Sequence, residues 1–92
     1  MKSTEVATLR RHSRNLANEA SAVYASEEAK PTPSLFVLCE SAKAARNAYA
    51  TLYALDSKPD HLLLFDIYSQ RALAASEAND LWTDKVVGHN QY

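Results

Sequence analysis

Glycine is nearly missing from this 92-residue chain; the only one is Gly88. That scarcity excludes glycine-rich phosphate loops and the tight two-residue hairpins that need positive φ. Cysteine is as scarce. Cys39 stands alone, so no disulfide can form within the chain, which points to a reducing compartment, most simply the cytoplasm. The three prolines fall in two short stretches, KPTPS at 30–34 and SKPD at 57–60. The longest apolar run, Leu35 to Cys39, is far short of the ~20 residues a membrane span needs. No apolar run follows the Met1–Lys2–Ser3–Thr4 opening, so no secretory signal is expected. A charge of one sign is lacking too: the net charge is −1, with the first third slightly basic and residues 60–92 clearly acidic.

What the chain does have is alanine, sixteen times, and 47% apolar residues, which suits one ordered globular domain over 1–92 rather than a disordered segment. Alanine favours helix, and the proline stretches supply the punctuation. Each ends in a residue able to cap a helix, Ser34 and Asp60. The spacing predicts an all-α, antiparallel three-helix bundle with helices at about 4–29, 35–56 and 61–83. The tail, 84–92, is expected to be irregular.

On the first helix, Val6, Leu9, Leu16, Ala20, Val23 and Tyr24 share one arc at 100° per residue. On the second, Leu35, Leu38, Ala42, Ala45, Tyr49, Leu52 and Tyr53 form a broad apolar face. Beside it a strip of Ser41, Ala44 and Ala48 would let another backbone come close. Two contact faces suit a middle helix. The third helix would bury Leu64, Ile67, Tyr68, Ala74, Ala75, Ala78, Leu81 and Trp82. Arg71 falls within that face, to snorkel past alanines, to meet an acid, or to serve as a recognition arginine. A rival parse reads LFVLC and HLLLFDIY as buried parallel strands around a crossover helix, an α+β arrangement with a βαβ unit after an N-terminal helix. Few β-branched residues and the weakness of two isolated parallel strands favour helices.

No enzyme is expected. His12, His61 and His89 form no HxxxH, HExxH or CxxC pattern, so neither a metal site nor a cofactor is implied. Cys39 lies beside an apolar face, the setting of a packed thiol rather than a nucleophile. Asp66, Glu77 and Asp80 share the outer face of the third helix, with Asp84 just beyond; carboxylates there are solvated charge unless a cleft shifts their pKa values.

Binding surfaces say more. Leu62 and Leu73 point toward that acidic face with Phe65 at its edge, a patch expected to be covered by a partner, a second copy of the chain being the simplest. Residues 9–15, LRRHSRN, place Arg10, Arg11 and Arg14 on one helix with no acid three or four residues away. The first reading of that cluster is a solvated face. As a contact, an acidic protein surface ranks above nucleic acid, because the chain is not basic overall. The expectation is a cytoplasmic protein-binding module acting as adaptor, regulator or stoichiometric inhibitor, in the manner of phage- or plasmid-type modulators. The alternative is a nucleic-acid-binding regulator using Arg10, Arg11 and Arg14.

Overall fold

A computed structural model describes the backbone of residues 3–86 and the side chains of residues 3–81. It is all-α: α1 spans Ser3–Glu28, α2 spans Leu35–Asp56 and α3 spans Pro59–Val86. The βαβ alternative is not supported, since LFVLC opens α2 and HLLLFDIY lies within α3. With too few β-branched residues to favour strands, these apolar runs bury one side in helices instead.

Each connector is short and locally held, which turns successive helices antiparallel. Ser34 caps α2 as expected, its Oγ accepting from the Val37 N–H at 3.3 Å. In front of it, the buried Glu27 carboxylate accepts from the Ser34 N–H at 2.8 Å and from Lys30 Nζ at 2.9 Å, pinning the α1–α2 connector across its two prolines. The α2–α3 connector is only Ser57 and Lys58. Ser57 sits in the left-handed region (φ 55°, ψ 25°) and donates its N–H to the Tyr53 carbonyl at 2.7 Å, the closing geometry that usually selects glycine. Asp60 does not cap α3. The helix begins two residues earlier than expected, with Pro59 at a first-turn position where its missing N–H costs nothing, and Asp60 adds negative charge within that turn. The end of α3 also departs from expectation, because 84–86 continue the helix; residues 87–92 lie outside the described residues.

The middle helix has two packed faces. Among the described residues, α1 and α3 each pack along α2, while no Cα of α1 approaches one of α3 within 8 Å. Small residues allow the close α1–α2 approach: Ala17 clusters with Ala48 and Leu52, and Ala20 meets Ala42 and Ala45. Ser41 serves in place of alanine because its Oγ donates back to the Val37 carbonyl at 2.7 Å. The side chains that join α1 to α3 are aromatic. Tyr24 meets Tyr68 edge-on at 5.8 Å, and Tyr68 stacks on Tyr49 at 5.8 Å. Leu52 is the one large side chain that is fully buried among the described residues. The core is therefore thin, made of alanine and tyrosine around one leucine.

The bundle is staggered. Cys39 Sγ lies 3.9 Å from the Ala72 carbonyl, which sets the α2–α3 register. From that point α3 runs roughly ten residues further than α2 does, about 15 Å of helix at the α-helical rise. The 58 × 26 × 20 Å extents reflect this.

Candidate functional site: an apolar groove between α1 and α2

The apolar arc expected on α1 is rotated in the structure. Ser13, Ala17, Ala20, Tyr24 and Glu27 are the buried positions, while Leu16 is 44% and Val23 49% exposed. The physical reason is close packing. Helices approach most tightly through small side chains, so α1 turns its Ser–Ala ridge onto the Ala–Ser ridge of α2 and its larger side chains move to the flank. The same rule moves residues on α3. Tyr68, Ala72 and Ala75 take the buried positions, whereas Ala74 and Leu81 are exposed; Trp82 lies outside the described side chains.

That rotation creates a groove of about 630 Å³ along one face of the α1–α2 pair. Ala20, Ala44 and Ala48, with Ser13 and Ser41, line its length. Leu16, Val23 and Phe36, the last 66% exposed, supply its large apolar side chains. The charged residues along it are Glu19 from α1 and Glu40 from α2. Glu40 has Lys43 at 3.9 Å, an exposed and weak pair. Single exposed leucines are ordinary, but three large side chains around a shared floor of methyl groups form a surface that water covers poorly. The groove has the shape that receives an amphipathic helix: small residues where a backbone must come near, and apolar side chains at the sides.

The arginines stand elsewhere. Arg11 and Arg14 are exposed, as the helix phase requires, and Arg10 is half-buried with its Nε buried and unpaired. Among the described residues, none of the three has a carboxylate within ion-pair distance. They lie on the flank of α1 away from Leu16 and Val23, so the groove and the arginine cluster are separate surfaces. Leu62 and Leu73 are exposed on α3, with Asp66, Glu77 and Asp80 also exposed. Leu62 and Phe65 share a shallow hollow of about 210 Å³ with Ala50 and Tyr53 of α2; Leu73 does not line it. The structure thus brings together Leu62 and Phe65, and leaves Leu73 apart.

Other polar groups have structural partners. Arg71 neither reaches an acid nor faces the groove: its guanidinium lies 5.1 Å from the Tyr24 ring centroid and 5.0 Å from that of Tyr68, a double cation–π contact. Burial raises the Tyr24 pKa, and the Glu28 carboxylate adds to this against the opposing effect of Arg71. His61 Nδ1 lies 3.0 Å from Asp56 Oδ1, and because a carboxylate can only accept, that nitrogen carries the hydrogen. Burial pushes the Asp56 pKa up, but the Lys58 N–H and the His61 ring outweigh it and hold the carboxyl below its ordinary value. For Glu27 the Ser34 N–H, then Lys30, do the same. Among the described residues no cluster of histidine, cysteine and carboxylate side chains could hold a metal ion, and no helix is long and apolar enough to cross a membrane.

Sequence reasoning missed Leu16, Val23 and Phe36 as a surface. Leu16 and Val23 sit beside an Ala17/Ala20 ridge on the same helix, and a choice between large and small side chains for the buried ridge would have exposed them. No family model, curated protein or solved structure matches the chain.

Proposed function

We propose that this chain is a non-enzymatic protein-binding module of the cytoplasm, working as an adaptor, regulator or stoichiometric inhibitor, and that its α1–α2 groove receives a helix of a protein partner. The observation that carries this reading is the groove itself: exposed Leu16, Val23 and Phe36 along a floor of alanines between two helices. Hydrophobic burial is the main favourable term in protein association, and an interface gains most from side chains seated in small-residue pockets. The unpaired Cys39 thiol, buried and without a disulfide partner in the chain, fits a reducing compartment.

A second reading rests on Arg10, Arg11 and Arg14, which have no carboxylate neighbour among the described residues. They would meet an acidic protein surface or, in the alternative class, nucleic acid. The acidic α3 face with Leu62, Phe65 and Leu73 is a further protein-contact surface under the same proposal.

The test uses immobilised chain in a nuclease-treated extract of the source cells. Proteins retained by the wild type, its own copies included, are expected to be lost with Leu16→Glu/Phe36→Glu and kept with the triple Arg→Glu variant. Retention by the groove variant, or dependence on intact nucleic acid, overturns the reading.

A further inference from the structure

We draw no further inference here: the strongest candidate, the apolar groove between α1 and α2 flanked by exposed Leu16, Val23 and Phe36, belongs to the site already described, and nothing in the structure shows what covers it.

Discussion

Replacing Leu52 with alanine tests the thinness of the core. Leu52 is 1% exposed and is the one large side chain fully buried among the described residues. Its neighbours in the α1–α2 cluster are Ala17 and Ala48, whose methyl groups have no rotamers with which to fill a void, and Tyr49, whose ring is held by stacking on Tyr68. The cavity should therefore persist, placing the cost in the upper part of the usual range for buried leucine, about 3–5 kcal/mol. A chain of this length has roughly 5–14 kcal/mol of total stability. The variant should then lose about a fifth of it or more, with Tm falling by about 12–40 °C. Leu63→Ala makes the same chemical change where the side chain is 58% exposed on α3, and should stay within about ±0.5 kcal/mol. Urea unfolding followed by circular dichroism at equal protein concentration reads both. Equal losses, or a Leu52→Ala cost below about 1 kcal/mol, would refute the packing described here.

Four further outcomes follow from local geometry. Ser57→Gly should stabilise the chain by up to about 1 kcal/mol, because glycine accepts the left-handed φ of 55° without steric cost, and thermal unfolding checks it. Stability should fall in acid: Glu27 and Asp56 have folded pKa values below their ordinary 4.5 and 3.8, so their contribution is full above those values and is lost as pH drops beneath them. Urea midpoints measured across the acid range would show this, and His61→Ala should raise the Asp56 pKa in a carboxyl NMR titration. Arg71→Ala should raise the Tyr24 pKa further, by removing the cation that opposes burial, as an ultraviolet phenolate titration would report. The triple Arg→Glu variant at Arg10, Arg11 and Arg14 should retain its helical spectrum, and binding to an acidic protein should lose salt dependence and on-rate. A drop of about one unit in salt slope per arginine on unrelated DNA sequences would point to phosphate instead.

The helices themselves were legible. Alanine abundance, scarce glycine and two proline stretches give three helices whose bounds differ from expectation by one to three residues at each end of α1 and α3 and agree at α2. The identity of α2 as the middle helix was also readable, from its apolar face beside a small-residue strip. Helix phase was not. Periodicity weights large apolar residues as core, and on α1 that selects Leu16 and Val23; interhelical distance instead selected Ser13, Ala17 and Ala20. α3 is apolar on several sides, so the pattern could not say that Leu81 would be exposed or Ala72 buried. Arg71 was misplaced for a related reason, since its cation–π partners, Tyr24 and Tyr68, come from two helices and meet only in the folded chain. The exposure of Leu62 and Leu73 beside the acids was read correctly from spacing, while the groove depended on a phase that the sequence leaves ambiguous.

The most direct measurement of the groove is a paramagnetic relaxation experiment on carbon-13 methyl-labelled chain with a water-soluble spin probe. Strong broadening is expected at the Leu16 and Val23 methyls, which are 44% and 49% exposed, and little at those of Ala17 and Leu52, each 1% exposed. Protected Leu16 and Val23 methyls, or equal broadening at Ala17 and Leu52, would contradict the account.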